Sequence, residues 1–357
     1  MGTVEIKLAQ KPLRLHKAIV EPAFGEPTIL AGNAWDYVSM WLKRNKNGKR
    51  EEALYYWEQA RCFFEATLRL PNDSACLTAY YCMLNATKAL LSTKGKPLPG
   101  KHGVTGKPSS SRVSLVGEQI TFSRGGILAA LRNYLLEPTR TEKYSIKDLF
   151  YNLPYIHRAF KLTYSSSSIP ELFVPVENPR FVRKRKSDEA WFCVNIANPR
   201  YANRYTLNNL PKGYQRDDGE ENEFVVRRKR RFKWSRSTSQ RKQNKARLIN
   251  YHQAVRKSFC YIHATRTLWY LKKALQTSSA SCPKVIHRSS LTMTFAAMHR
   301  LSELARYQPK RFMRHFDLQQ NWLLCEFIRI SPEQFIDEIS SEITGRELLS
   351  PGIRPKS

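Results

Sequence analysis

From residue 75 to residue 91 nearly every side chain is apolar or small, with Thr78, Asn85, Thr87 and Lys88 as the polar exceptions. A helix that is apolar on all sides gains nothing by showing a face to water, so it belongs at the centre of a bundle. It is too short and too interrupted for a membrane span, which takes roughly 20 apolar residues. Asp73, following Pro71, is placed to act as its N-cap. Asn85 and Lys88 are three apart and Tyr81 lies one turn earlier, so the three share a face. Such a polar core strip must find partners or line a site. A register-holding network is the plainer reading. The loop that follows ends in Lys101-His102-Gly103. His102, flanked by Gly next to the central helix, is a catalytic candidate. A solvent-facing or capping histidine is its plainer reading.

The neighbouring segments supply the rest of a helical part over residues 35–163, preceded by an extended arm at 1–34. Residues 35–42 read as a short amphipathic helix, followed by the basic loop NKNGKR at 45–50. Residues 51–70 form the first strong helix, with Leu54, Trp57, Phe64 and Leu68 on one stripe and Arg61 as its polar exception. A turn at Pro71 this short makes that helix an antiparallel neighbour of the central one. Residues 92–117 read as a long loop, 119–123 as a strand, Arg124-Gly125-Gly126 as a turn, and 127–136 as a helix. A Gly-rich entry to a helix can bind phosphate. This one lacks both standard phosphate-loop spacings and reads more simply as a tight turn. Residues 146–162 give another helix, broken at Pro154.

Residues 164–237 change character. Short runs rich in Val, Phe and Trp at 171–176, 190–196 and 223–234 alternate with Pro, Asn and Gly, the pattern of a small antiparallel sheet. The acidic stretch DDGEENE at 217–223 reads as a solvated loop. Residues 227–247 carry eleven Lys or Arg in 21 positions: Arg227, Arg228, Lys229, Arg230, Arg231, Lys233, Arg236, Arg241, Lys242, Lys245 and Arg247, with Phe232 and Trp234 interleaved. On a strand, Arg228, Arg230, Phe232 and Trp234 would share one face. Cations beside aromatics suit a nucleic-acid strand, pairing with phosphates and stacking on bases. The cluster Arg183, Lys184, Arg185 and Lys186 would extend that surface. A solvated basic edge strand explains the same residues without a ligand. Residues 239–275 then read as one long helix, basic at first and apolar at Phe259, Ile262, Leu268, Trp269 and Leu271. Three further helices, at 291–307, 318–330 and 332–343, complete a C-terminal helical part over 238–345. A coil tail occupies 346–357. The fold class expected is mainly α, a helical bundle with a small antiparallel β insertion.

The net charge of +30 favours polyanionic partners. RNA or DNA comes first, and an acidic protein or a homodimer is also open; nothing suggests a membrane. Seven Cys without a CxxC pair read as reduced thiols of a cytoplasmic protein. No signal peptide, transmembrane segment, metal-ligand cluster, nucleotide loop or Ser–His–Asp arrangement is legible, so no metal and no cofactor is expected.

The motifs ALYYWEQA at 53–60, AYYCMLNATKAL at 79–90, KHG at 101–103, DLFYNLP at 148–154 and LARYQP at 304–309 resemble the YaaC-like family of bacterial proteins. The resemblance runs with gaps over most of residues 35–350 and leaves out the basic insertion at 171–247. The helix pair is also similar to the HEPN class of helical bundles, which implies a HEPN-like core, possible dimerisation and, for many members, metal-independent ribonuclease activity in antiphage defence. Those ribonucleases use an Arg and a His four to six residues apart. Arg247 with His252, and Arg256 with His263, have such spacing. About two such pairs are expected by chance in a chain this rich in Arg, and neither lies in the resembling helices. The expectation is therefore a protein that binds nucleic acid or a nucleoprotein partner as a subunit of a bacterial antiphage defence assembly, with a ribonuclease or a scaffold for an acidic partner as alternatives.

Overall fold

The apolar stretch is helical over Asn72–Thr93 in the computed structural model, which describes residues 2–44, 49–165, 169–217, 224–263, 269–275 and 282–349. The basic loop at 45–50, the acidic stretch at 217–223, the break at 277–283 and the C-terminal tail fall wholly or mostly outside the described residues. Pro71, extended at ψ 157°, precedes the first turn in place of Asp73. Asp73 sits inside that turn, where its charge meets the positive end of the helix dipole.

The chain divides into two compact units. One comprises residues 31–170 and 277–344 and is built on the central helix. Helices Arg50–Arg69, Ile127–Tyr134, Ser290–Tyr307 and Asn321–Thr344 pack around it, which is why no polar face is needed. Thr67 Oγ1 meets Thr78 Oγ1 at 2.8 Å near the turn, and Ser92 meets Glu52 at the far end, so the first two helices are antiparallel. Trp57 is fully buried and donates Nε1 to Trp35 O at 3.1 Å. Arg61 leaves the stripe to pair with Asp36 at 2.7 Å. Residues 321–344 form one helix through Pro332, not two. Burial of nearly all of its second half outweighs the roughly 3 kcal/mol that an interior proline costs. Part of the expected long loop is a strand: Val104–Pro108 pairs with Glu118–Phe122, which pairs with Glu142–Ser145. The break at Pro154 holds, with Ile146–Tyr151 and His157–Thr163 separated by a single 3-10 turn.

The other unit comprises Met1–Leu30, Glu171–Gln276 and Gly345–Ser357. Its centre is an eight-stranded antiparallel sheet in the order Tyr214–Arg216, Val225–Arg228, Glu189–Ile196, Phe173–Lys184, Trp269–Lys272, Phe259–Tyr261. Thr3–Glu5 also pairs with Phe173–Lys184, and Phe232–Lys233 with Glu189–Ile196. Helix Arg241–Arg256 covers the sheet, and Leu248, Tyr251 and Val255 join Phe181, Phe192, Val226, Phe259 and Leu271 in its core.

The expected mainly-α bundle with a small insertion is therefore overturned. The molecule is 47% helix and 19% strand, an α/β protein with a large antiparallel sheet. The error lies mainly at 239–275. The helix there ends at Arg256, and strands Phe259–Tyr261 and Trp269–Lys272 follow and pair with each other. Buried Phe259 and Tyr261 flank half-buried Cys260, and Trp269 and Leu271 flank half-buried Tyr270. That period of two belongs to strands, but in runs this short it is lost beside a helical pattern. The arm is likewise part of the sheet unit, with Leu13, Leu15 and Phe24 in its core. Among the described residues no helix is long and apolar enough to cross a membrane.

Candidate functional site

The sheet unit holds a cationic cleft. Strand Val225–Arg228 ends, the chain turns through residues 229–231, and Phe232–Lys233 returns along Glu189–Ala190. The single strand face expected for Arg228, Arg230, Phe232 and Trp234 is thus broken at the turn. Helix Arg241–Arg256 brings Arg247, Asn250, Tyr251 and Ala254 to the same place, spaced by three, four and seven so that they share one face. With Arg228, Arg230, Arg231, Phe232 and Lys233 they line a cleft of about 410 Å³.

Tyr251 organises it. Its hydroxyl donates to Arg230 O at 2.7 Å, fixing the turn, and burial pushes its ionisation upward, so it stays a neutral donor. The Arg228 guanidinium lies 4.7 Å from the Tyr251 ring centre and donates to Tyr251 O at 3.2 Å. Phe232 packs on the same ring at 4.5 Å. Arg231 pairs with Glu189 and lies over Trp191 at 5.4 Å. Arg247 Nη1 is sealed from solvent and has no hydrogen-bond partner.

The structure thus joins six of the sequence candidates: Arg228, Arg230, Arg231, Phe232, Lys233 and Arg247. Trp234 is half-buried against the core instead. Arg227 is turned to Asp217 at 3.5 Å. Arg236 donates to Arg185 O at 2.6 Å, linking it to the 183–186 cluster rather than to the cleft. Lys229, Arg241, Lys242 and Lys245 are exposed and do not line it. Asn250 and Tyr251 were missed by sequence reasoning, and the signal that could have found them is their helical spacing from Arg247.

Arg247 and His252 are not brought together. Five residues on a helix turn through about 140°, so they face different ways. His252 is fully buried against Phe24 at 5.1 Å and accepts on Nε2 from His16 N at 3.2 Å. Burial, then the charges of Arg256 and His16, hold its protonation well below the usual histidine range. Arg256 donates to Phe259 O at 2.6 Å and Lys17 O at 3.1 Å. These two residues pin the arm to the sheet unit. His263 is half-buried beyond the Phe259–Tyr261 strand, off the helix that carries Arg256.

The helical unit holds a second cluster, around His102. Gly103, at φ 80°, crosses Gly126, at φ 98°, so closely that a Cβ on Gly126 would lie 2.4 Å from Gly103 Cα. The crossing lets Lys101 O and His102 O accept from Ile127 N and Leu128 N, both at 2.9 Å. Those amides open the Ile127–Tyr134 helix, so they are spent on the loop and unavailable to a phosphate. His102 Nδ1 meets the Tyr80 hydroxyl at 2.5 Å, and the His299 ring lies 5.4 Å from the His102 ring. Burial, then Arg306 and Lys88, lower the protonation of His102. His299 is pushed down to about 3 by burial, His102, Arg306 and Arg300. Arg306 donates Nε to Ser302 O of its own helix at 3.2 Å and forms no ion pair with Glu303. Asn85 donates to Tyr81 O at 2.9 Å, while Lys88 lies over the Tyr56 ring at 5.0 Å. The expected polar strip is therefore split between a helix-internal bond and a cation–ring contact with the neighbouring helix.

Beside this cluster lies Glu118, fully buried, which accepts from Arg300 Nη2 at 2.6 Å, Arg311 Nε at 2.6 Å and His315 Nε2 at 3.3 Å. Burial alone would raise its ionisation, but the bonds from His315, Arg300 and Arg311 outweigh it and hold the carboxyl at about 2. No group of three metal-ligating side chains is found among the described residues.

No curated protein and no solved structure matches the chain. The family model of the YaaC-like protein matches residues 33–343, which takes in both the His102 cluster and the cationic cleft. The chain belongs to the YaaC-like family.

Proposed function

We propose that the sheet unit binds nucleic acid through its phosphate backbone, with the cationic cleft as the contact surface. One observation carries this reading: five Lys or Arg side chains converge on the cleft, and no carboxylate is among its lining residues. Grouping like charges costs energy unless an anion neutralises them. Arg247 supports it by placing a helix-borne cation on the same cleft wall as the cations of the turn. Phe232 and Tyr251 pack on one another and on the core, so they shape the cleft more than they offer open faces for bases. The expected recognition is of backbone charge, with little preference for sequence.

The test is fluorescence anisotropy with single-stranded RNA and DNA oligonucleotides over a salt series. Engagement of the five cations gives a slope of log K against log salt of about −3.5, with submicromolar affinity at low salt. Arg247→Gln should weaken binding to all sequences alike and reduce the slope by about 0.7. Affinity no stronger than micromolar at low salt, or binding indifferent to Arg247→Gln and Arg230→Gln together, overturns the proposal.

A further inference from the structure

Within the sheet unit, the arm and residues 345–349 line a cavity of about 130 Å³ that shares no residue with the cationic cleft. Ala23 N donates to Gly345 O at 2.7 Å and Ile29 N to Glu347 O at 2.8 Å. Leu348–Leu349 also pairs in parallel with Ile29–Leu30, so the two segments are fixed to one another. Leu13 and Phe24 are buried in the cavity wall, and Lys11 and Glu26 are exposed at its rim. Gly25, at φ 87°, lets the chain pass close over Leu8, since a Cβ there would lie 2.6 Å from Leu8 Cδ2. The lining residues fall at 8–28 and 346–347, outside the stretch that the family model matches.

His16 lines this cavity and is 7% exposed, with its ring edge-on to Phe24 at 5.7 Å. Its Nδ1 accepts from Ala18 N at 3.0 Å. An amide can only donate, so Nδ1 carries no proton. Burial keeps the ring neutral, and its one proton therefore sits on Nε2. Nε2 has no hydrogen-bond partner among the described residues, yet it is not sealed from solvent. A buried donor left unused is costly, so Nε2–H calls for an acceptor in the cavity. Glu347 supplies the opposite need: Oε1 accepts from Lys17 N at 3.1 Å, and Oε2 has no partner among the described residues. The charges around the cavity balance, with Lys11, Arg14 and Arg346 against Glu5, Glu26 and Glu347. Arg346 pairs with Glu26 at 3.1 Å, and Arg14 spends only Nη1 on Glu5, at 3.0 Å. Lys17 is turned away, over the Tyr261 ring at 4.5 Å and bonded to Leu348 O.

We propose that this cavity binds a free α-amino acid with a small side chain, its carboxylate accepting from His16 Nε2–H and Arg14 and its ammonium group donating to Glu347. The charge balance selects the ligand. An ion of one sign would leave a set of balanced charges in excess, whereas a zwitterion adds no net charge and gives each sign a partner. The volume is that of roughly four water molecules, room for about six or seven non-hydrogen atoms. Alanine and serine are of that size, and leucine and the aromatic amino acids exceed it. Leu8, Leu13 and Phe24 offer the side chain an apolar wall, while the few polar groups fix its orientation.

The experiment is a histidine-ring NMR titration of the full chain with alanine, leucine, acetate and methylammonium in turn. Alanine should give a saturable shift of His16 Nε2 that neither acetate nor methylammonium reproduces. Leucine should bind at least about tenfold more weakly than alanine. Glu347→Gln keeps an oxygen for Lys17 N and removes the charge, so it should weaken alanine binding about tenfold, the loss of one charge-assisted bond. Arg14→Gln should do the same from the carboxylate end. Arg247→Gln should leave the titration unchanged, which separates this site from the cleft in the same unit. An alanine shift that fails to saturate by roughly 10 mM overturns the proposal. So does one unaffected by Glu347→Gln in a variant that keeps the other histidine signals. Acetate or methylammonium binding as tightly as alanine overturns the zwitterion assignment, and leucine binding as tightly overturns the size limit.

Discussion

Replacing Glu118 by Gln keeps the shape of the side chain and removes its charge. Glu118 lies on a strand, Arg300 on the Ser290–Tyr307 helix, and Arg311 and His315 on the Pro309–Phe316 helix, so one carboxylate ties three elements together. Without it Arg300, 2% exposed, keeps only Glu303 at 3.3 Å, and Arg311 keeps backbone carbonyls such as Ser111 O at 3.1 Å. Two routes give the magnitude. Breaking a buried ion pair by removing one partner costs about 3–5 kcal/mol. A carboxyl held at about 2 against an ordinary value of 4.5 corresponds to roughly 3 kcal/mol of stability at neutral pH. The sign follows from the depressed midpoint: the contribution is present above pH 4.5 and lost as pH falls toward 2. Urea unfolding of the wild type and Glu118→Gln at pH 7 should differ by about 3 kcal/mol, and the difference should shrink steadily below pH 4.5. A difference under about 1 kcal/mol at pH 7, or one that does not change between pH 5 and pH 3, refutes the reasoning.

Three further outcomes are expected. In the sheet unit burial holds the protonation of His16 and His252 below 6.5; the charge of Glu347 opposes this at His16, and the charge of Arg256 adds to it at both. The unfolded chain therefore binds more protons, and lowering the pH from 7.5 to 5.5 should remove at most about 1.4 kcal/mol per histidine, with the larger loss at His252; a denaturation series showing no less loss for His252→Gln than for the wild type would argue against it. Gly126→Ala should destabilise the helical unit by roughly 3 kcal/mol, because the new Cβ meets Gly103 backbone at 2.4 Å and the φ of 98° suits no side chain. Its unfolding midpoint and the His102 signals report this together, and a fully stable variant with unmoved His102 would contradict the close crossing. Trp57→Phe should cost about 2 kcal/mol by losing packing and the bond to Trp35 O, read as a lowered urea midpoint at unchanged slope.

The central helix was legible because composition alone forbids residues 75–91 a solvent face, whatever surrounds them. The short turn at Pro71 likewise left its neighbour only one arrangement. The helix at 290–307 and the break at Pro154 were legible for the same local reasons, periodicity and a missing amide. The sheet was read only in part. Its strands at Phe259–Tyr261 and Trp269–Lys272 are three and four residues long and follow a true helix, so their alternation carries too few positions to outvote the helical pattern. Sequence concentrated the cations at 227–247, but the cleft needs Tyr251 and Arg247 from a helix set against the turn at 229–231, and that docking is a tertiary event. The same holds for the second cluster. His102 stood out by its Gly-flanked loop, whereas His299 lies about two hundred residues later and reaches it only because its helix packs on the central one. Glu118, an unremarked acid at the edge of a strand, gains its role wholly from Arg300, Arg311 and His315. Local composition and spacing thus determined which segments must be buried and which carry charge. The partners of each charge were decided by packing, because burial and electrostatic pairing depend on distances in space that sequence separation does not encode.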